Sequence, residues 1–217
     1  LDEAVNHIDL EIRKTALGAL EMIGGPAAAN GFSIAVRDKD WGIRRRAQKS
    51  LCKIRDPCAL PGLRAVLKSR ESTSWQWDEA VKAIVRIGKP SLNILLRLSE
   101  DKSSHKGELA FSGLAKLGQV SVPGLVRKLG DDKPEGIRSQ AARCLGMIGH
   151  PSGVNALTGI IKDKQSSVRK SAAQALALID HPLSSDGLSI ALKDDEGSIR
   201  FLAGEALAGR GEGALRI

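Results

Sequence analysis

Apolar residues recur along the chain at the spacing of one face of a helix. Counted from Arg138, they fall at offsets 3, 6, 7 and 10, which are Ala141, Cys144, Leu145 and Ile148. This spacing is typical of an amphipathic α-helix with 3.6 residues per turn. No stretch alternates with the period of two that a half-buried strand shows, so the pattern predicts an all-α chain. The same helix pattern starts again and again, at positions 13, 44, 77, 107, 138, 169 and 200.

A second apolar helix follows each of these anchored helices, so each repeat is predicted to be a helical hairpin. Gly24 and Gly149 stand where anchored helices end, as a left-handed C-cap does. Pro26 and Pro151 come next, where proline ends one helix and opens the following one. The sequence therefore predicts an α-α superhelix, a right-handed solenoid of about seven hairpins, as a single domain over 1–217. Neither end carries a polar cap, so we expect a fragment of a longer repeat array.

An acid precedes several anchor arginines by six residues. The pattern resembles HEAT repeats, in the short form found in the phycobilisome-lyase-like HEAT proteins, over nearly the whole chain. The resemblance implies a structural ladder of hydrogen bonds between acid and Arg along the turns. We expect each Arg to pair with the acid six residues before it, in Asp38–Arg44, Asp132–Arg138, Asp163–Arg169 and Asp194–Arg200.

The net charge of +8 is concentrated in one region, since residues 41–70 hold nine cations and one acid and the remainder sums to zero. Offsets 1, 5 and 9 of the anchored helices point away from the apolar face. In HEAT-like stacks we expect these positions to form a cationic row on a concave face. The alternative is that the cations only keep helix faces solvated. The row predicted to contact a partner contains Arg45, Lys49, Lys53, Lys82, Arg86, Lys116 and Arg143.

The third repeat breaks the pattern, because Ser74-Trp75-Gln76-Trp77 replaces the usual aliphatic-Arg opening. Two indoles two residues apart point to different sides of a helix. We expect one to fill the space of the missing Arg, and the other to be exposed near Arg86 as an anchor for a partner. The alternative is that both only pack an irregular turn. Trp41 is predicted to pack on the turn before Arg44.

Neither a catalytic constellation nor a metal site is evident in the sequence. There is no Ser-His-Asp arrangement, and no phosphate loop with Gly-Lys-Ser/Thr. A HEAT-like hydroxylase is known to bind iron through His-Glu dipeptides, and this chain contains no such dipeptide. His150 and His181 occupy equivalent turns and are expected to cap them. Cys52, Cys58 and Cys144 are expected to be packing residues. We therefore predict no metal and no cofactor.

These observations favour a non-enzymatic scaffold that binds a protein or peptide, in particular an acidic one. Two alternatives stay open. HEAT-like DNA glycosylases hold DNA against a basic concave face with Trp, so a less favoured interpretation is nucleic-acid binding. The phycobilisome-lyase resemblance implies bilin attachment, or chaperoning of a chromophore protein. No run of about 18 apolar residues predicts a membrane span, and three scattered cysteines favour a reducing compartment. We expect a cytoplasmic protein without membrane contact.

Overall fold

The computed structural model describes residues 1–101 and 104–214, and every regular element in that part of the chain is a helix. The anchored helices of the repeats are α2, α4, α6, α8, α10, α12 and α14. Short 3-10 helices lead into most of the intervening ones. The α-helices are α1 (Asp2–Val5), α2 (Leu10–Ile23), α3 (Ala29–Ala35), α4 (Trp41–Leu51), α5 (Leu60–Lys68), α6 (Ser74–Ile87), α7 (Leu92–Leu98), α8 (Ser104–Leu117), α9 (Val122–Arg127), α10 (Glu135–Ile148), α11 (Val154–Gly159), α12 (Ser166–Leu178), α13 (Pro182–Ala191) and α14 (Gly197–Ala214).

The helix ends follow from local chemistry. The side chain of Asp40 accepts a hydrogen bond from the backbone N–H of Ile43, which starts α4. Gly24 and Gly149 end α2 and α10 with φ of 62° and 69°, a left-handed conformation that a side chain would strain. The predicted glycine caps are therefore confirmed. Pro26 opens a 3-10 turn before α3 rather than the α-helix itself.

Two compact units divide the chain, and each has its own core. The first unit comprises Leu1–Arg97 and Ser103–Gly113, and the second comprises Leu98–Lys102 and Leu114–Ile217. The repeated helical hairpins confirm the predicted all-α fold class, whereas the right-handed course and the single domain stay predictions. Fully buried side chains include Leu17, Phe32, Ile43 and Leu63 in the first unit and Leu145, Leu157, Leu176 and Leu188 in the second.

Ladder arginines pair with an acid of the next repeat. The acid lies 25 residues further along the chain for Arg13, Arg138 and Arg169, and 27 residues further for Arg44, which pairs with Glu71. In the second unit, Nε and Nη2 of Arg138 each donate to an Asp163 carboxylate oxygen at 2.8 Å. Both side chains are nearly inaccessible, with 3% and 2% exposed. Arg169 repeats this geometry with Asp194, where the closest contact is 2.7 Å. A paired, fully hydrogen-bonded charge can be buried where a lone one cannot.

The predicted pairing with the acid six residues earlier was wrong. Arg44 and Arg169 donate from Nη1 to the backbone carbonyls of Asp38 and Asp163, not to their carboxylates. Arg200 does the same with the carbonyl of Asp194. The reason is geometric. Nη1 of one guanidinium can donate to a backbone carbonyl of the preceding turn, while its Nε and Nη2 donate to a carboxylate of the next repeat, as in Arg169.

The predicted pairing of Asp132 with Arg138 was wrong for a further reason, which is that Asp132 has a different partner. Its exposed carboxylate pairs with Lys133 at 3.1 Å. Arg138 donates instead to the backbone carbonyl of Lys133 at 2.5 Å. Asp132 therefore stays in solvent while Asp163 takes the guanidinium.

The repeats without a ladder Arg are held by other contacts. In the first unit, Nζ of Lys106 lies 4.0 Å from the ring centroid of Trp77 and donates to the carbonyl of Leu67 at 2.9 Å. In the second unit, the buried Lys128 pairs with Glu100 at 2.8 Å. That hydrogen bond holds the pKa of Glu100 below its usual value. A lysine thus bridges neighbouring repeats in each case, and only Lys128 does so through an acid.

One stretch, His105–Arg127, is long and apolar enough to cross a membrane by length and composition alone. The stretch is divided between α8 and α9, and Gly118 breaks it with φ of 67°. Its apolar side chains include the fully buried Ala110 and Leu125. We therefore interpret it as two core helices rather than a membrane span.

Candidate partner-binding cleft

A cleft of about 700 Å³ lies between α4 and α6 in the first unit. We call it the α4–α6 cleft. Its lining combines aromatic, cationic and amide side chains from the two anchored helices. The lining residues are Trp41, Gly42, Arg45, Arg46, Gln48, Lys49, Cys52, Lys53, Trp75, Glu79 and Arg86.

Two tryptophans mark one end of the cleft. Trp41 is the first residue of α4 and Trp75 the second of α6, and they are 59% and 58% exposed. The guanidinium carbon of Arg45 lies 5.1 Å from the ring centroid of Trp41. Trp41 therefore stacks with a cation in solvent, rather than packing on the turn as predicted. Exposed tryptophans are costly to leave in water and are frequent anchors in interfaces.

Four of the cations that line the cleft have no carboxylate partner among the described residues. Arg45, Lys49 and Lys53 follow each other at intervals of four residues, and Arg86 comes from α6. Within the described part of the chain, none of these four has an ion-pair contact. The fifth lining cation, Arg46, is neutralised by Glu21 at 2.6 Å. The cleft therefore presents unpaired positive charge to an incoming partner.

One carboxylate and one thiol line the cleft, those of Glu79 and Cys52. Glu79 accepts a hydrogen bond from Nζ of Lys82 at 2.9 Å. Burial, reinforced by the nearby Glu79 charge, raises the pKa of the Cys52 thiol to about 11. The thiol is therefore protonated near neutral pH, and Cys52 is not an activated nucleophile.

A pair of amides joins the two walls of the cleft. Nε2 of Gln48 donates to the backbone carbonyl of Gln76 at 3.1 Å, and Nε2 of Gln76 donates to Oε1 of Gln48 at 2.7 Å. Oε1 of Gln76 also accepts from the backbone N–H of Thr73 at 2.9 Å, which completes a capping box at the start of α6. Gln48 is only 4% exposed. The floor is thereby fixed before any partner binds.

The structure brings five of the predicted partner-binding residues together in this cleft: Arg45, Lys49, Lys53, Trp75 and Arg86. The other four are not among its lining residues: Trp77, Lys82, Lys116 and Arg143. Their predicted binding role has no support from the cleft, since Trp77 packs under Lys106 and Lys82 is paired with Glu79. Lys116 and Arg143 are exposed in the second unit.

Sequence reasoning missed Trp41 as a member of the site. It stands before the anchor position, where the offset rule does not apply. A usable signal was present, because Trp41 and Trp75 both open anchored helices in neighbouring repeats. Residues at matching ends of stacked helices lie side by side.

The histidines behave as turn caps, as predicted. Nδ1 of His150 accepts from the backbone N–H of Ser152, and Nδ1 of His181 accepts from that of Leu183. Over residues 1–101 and 104–214, no three or more His, Cys, Asp or Glu side chains gather in a way that could hold a metal ion.

Stacked helical hairpins joined by buried ion pairs define an α-helical repeat protein. Residues 122–208 match the family model for HEAT repeats. The helical hairpins and the acid–Arg pairs continue into the earlier repeats, as in Arg13 and Asp38. Residues 122–208 therefore carry the HEAT-repeat pattern, and the earlier repeats share its helical hairpins and acid–Arg pairs.

Individual relatives show similarity over part of their length. Over 93 residues the chain is 33% identical to a deoxyhypusine hydroxylase from Rattus norvegicus, which is 42% of this chain and 31% of that protein. The chain thus matches less than a third of the length of this curated relative.

Among solved structures, the complex of CpcE and CpcF of phycocyanin lyase from Nostoc sp. PCC7120 matches with a TM-score of 0.53 and 22% identity, over 70% of this chain and 99% of that one. Human deoxyhypusine hydroxylase in complex with glycerol has a TM-score of 0.42 and 20% identity, over 95% and 93% of the two chains. The likeness to the Nostoc protein shows the fold and no more.

Proposed function

We propose that the protein is a non-enzymatic scaffold that binds a partner protein or peptide through the α4–α6 cleft. The observation that carries the proposal is the coincidence of two half-exposed tryptophans with four unpaired cations in one concavity. Solubility alone accounts for surface cations, but it does not account for large exposed indoles beside them. Trp and Arg are the side chains that dominate binding energy at interfaces.

The partner proposed is acidic. The cleft has one carboxylate, Glu79, against five cations, and Glu79 already pairs with Lys82. An acidic partner would supply the missing counter-charges. Its association would be fastest at low ionic strength, because opposite charges steer the encounter.

The test is a titration of a fluorescently labelled dodecapeptide rich in Asp and Glu, followed by anisotropy. Reversal of two cleft cations in Lys49→Glu/Lys53→Glu is expected to weaken binding at least tenfold. Binding to the unchanged protein is expected to fall as salt rises, and the variant is expected to show a flatter salt dependence.

The matched control is Lys162→Glu/Lys170→Glu, which makes the same charge change on exposed lysines of the second unit. It is expected to retain at least half of the affinity. Equal losses in the two variants would show that net charge, and not the cleft, attracts the peptide. Absence of binding to the unchanged protein at low salt would refute the proposal.

Other functions have less support. Nucleic-acid binding uses the same cations, and it predicts that the logarithm of the duplex affinity falls linearly with that of the salt concentration. The similarity to a hydroxylase and to a lyase raises an enzymatic alternative. The sequence has no His-Glu dipeptide, and the described residues offer no cluster of metal-binding side chains. A metal or chromophore retained in native mass spectrometry would favour that alternative.

A further inference from the structure

We infer that the α4–α6 cleft receives an extended acidic segment with a defined polarity: a large apolar side chain between Trp41 and Trp75, and carboxylates against Lys53 and Arg86. This inference rests on the proposed function and specifies its partner. The recognised chemistry is that of a short linear motif, one apolar anchor followed or preceded by acids.

The polarity follows from the direction of the two helices. Gln48 of α4 contacts Gln76 of α6, and Sγ of Cys52 lies 3.7 Å from the carbonyl oxygen of Glu79. Residue numbers rise together along both helices, so α4 and α6 run in the same direction. Their amino-terminal ends, which carry the tryptophans, therefore share one end of the cleft.

The opposite end is cationic. Lys53 follows the end of α4, and Arg86 lies in the last turn of α6. Lys49 lies between the two ends. Lys49 and Lys53 also border a second depression of about 830 Å³ on the other side of α4. An acidic run can therefore approach these lysines from either side.

The length of the cleft sets the length of the segment. Trp41 and Lys53 are twelve positions apart in the chain, which corresponds to about 18 Å at a rise of about 1.5 Å per residue. An extended peptide advances roughly 3.3 Å per residue. The cleft therefore accommodates about five or six residues, enough for one apolar anchor and a short acidic run.

The separation of the two chemistries favours a peptide over a nucleic acid. A single strand bound along a groove has its bases stacked on aromatic side chains while cations follow the phosphates beside them. Here both exposed indoles are at one end, where Arg45 covers Trp41, and Lys53 and Arg86 are at the other end without an aromatic neighbour among the lining residues.

The cleft is preorganised for such a segment. Gln48 and Gln76 fix its floor, and the capping box of Thr73 and Gln76 fixes the helix turn that bears Trp75. Arg45 lies over Trp41, which restricts that indole. Side chains that are ordered before binding cost less entropy on association.

The experiment compares octapeptides of identical length, two of which share the same composition. One has a single Phe at an end, separated by two Gly from a run of Asp and Glu, and is made in both chain directions. Its isomer has the Phe in the middle of the acids, and a third peptide has Asn and Gln in place of the acids. Affinity is measured by competition anisotropy, and indole burial by tryptophan emission.

The better of the two end-Phe peptides is expected to bind at least tenfold more tightly than the isomer and to shift the emission to the blue. Trp41→Ala is expected to reduce this preference below threefold. The control Phe201→Ala removes an exposed aromatic in the second unit and is expected to leave the preference unchanged.

The outcomes distinguish the inferred polarity of the bound segment from the proposed function of acidic-partner binding. Equal binding of all acidic isomers would overturn the polarity and leave the proposed function intact. No binding of any acidic peptide would refute both. Tighter binding of a single-stranded oligonucleotide that displaces the peptide from the cleft would assign the site to nucleic acid and overturn the inference.

Discussion

The α10–α12 interface and the α6–α8 interface join successive repeats by different means. In the first, Arg138 and Asp163 form a buried, bidentate pair. In the second, Trp77 replaces the Arg and Lys106 reaches back over its ring. The Nε1 atom of Trp77 is buried without a hydrogen-bond partner among the described residues. The α10–α12 interface thus has a fully hydrogen-bonded ion pair, whereas the α6–α8 interface has a cation–π contact and a buried indole N–H without a partner among the described residues.

Both interfaces also contain a glycine at a close helix contact. α10 and α12 approach so closely that a Cβ on Gly146 would lie 2.7 Å from Cα of Ala175. Glycine is required there by the helix contact rather than by a turn. At the α6–α8 interface, a Cβ on Gly113 would lie 3.0 Å from Cγ2 of Val85, a side chain rather than backbone. The comparison teaches that the two interfaces differ in how their polar groups are satisfied, whereas both bring helices close at a glycine. In repeat proteins, such interface terms add up to the stability of the whole.

The largest expected effect on stability is at the buried ion pair of Arg138 and Asp163. Asp163→Asn leaves the Arg138 guanidinium buried without a counter-charge, and the free energy of unfolding is expected to fall by about 3–5 kcal/mol. Urea denaturation followed by circular dichroism measures the change. Glu71→Gln is the control, because the Glu71 side chain is 67% exposed in its pair with Arg44. It is expected to cost less than about 1 kcal/mol, and a similar cost at both positions would contradict the comparison.

A smaller effect is expected at the aromatic interface. Lys106→Met keeps the aliphatic contacts of the side chain and removes the cation from the Trp77 ring. The expected cost is about 0.5–2 kcal/mol, the range for a partly desolvated cation–π contact. The same denaturation experiment measures it. Lys116→Met, at an exposed position of the second unit, should change stability by less than about 0.5 kcal/mol. A loss at Lys106 that matches that of Asp163→Asn would remove the distinction between the interfaces.

The smallest expected effect is the pH dependence of the stability that the Arg169–Asp194 pair contributes. The hydrogen bond from Arg169 holds the pKa of Asp194 below its usual value. The stability from this carboxylate is present above the unfolded-state pKa of about 3.9. It is lost as pH falls through the lower folded-state pKa. The stability difference between the unchanged protein and Asp194→Asn is expected to shrink between pH 5 and about pH 2. A constant difference over that range would show that the ion pair contributes nothing.

The sequence predicted the fold because seven repeats carry the same apolar positions, and helical spacing determines which face is buried. It misassigned the ladder for a reason that the period explains. An acid six residues before Arg169 is also 25 residues after Arg138. Periodicity alone therefore cannot tell which arginine the acid neutralises. Only the direction of the side chains across the interface decides it.

The site was predictable in part for a similar reason. Lys49 and Lys53 were identified because helical angles place them away from the core. Lys82 and Trp77 have comparable sequence signals, yet Glu79 pairs with one and Lys106 covers the other. Such local partners depend on rotamers and on the neighbouring helix, which a single helix pattern does not describe.

The 25-residue reach of the ladder has a practical consequence for the design of shorter versions of this protein. A truncation that ends at the close of α10 would keep Arg138 and discard Asp163, so the cut surface would expose an uncompensated guanidinium together with newly uncovered apolar side chains. Fragment boundaries are therefore better placed after the acid of the following repeat than at the last residue of a hairpin.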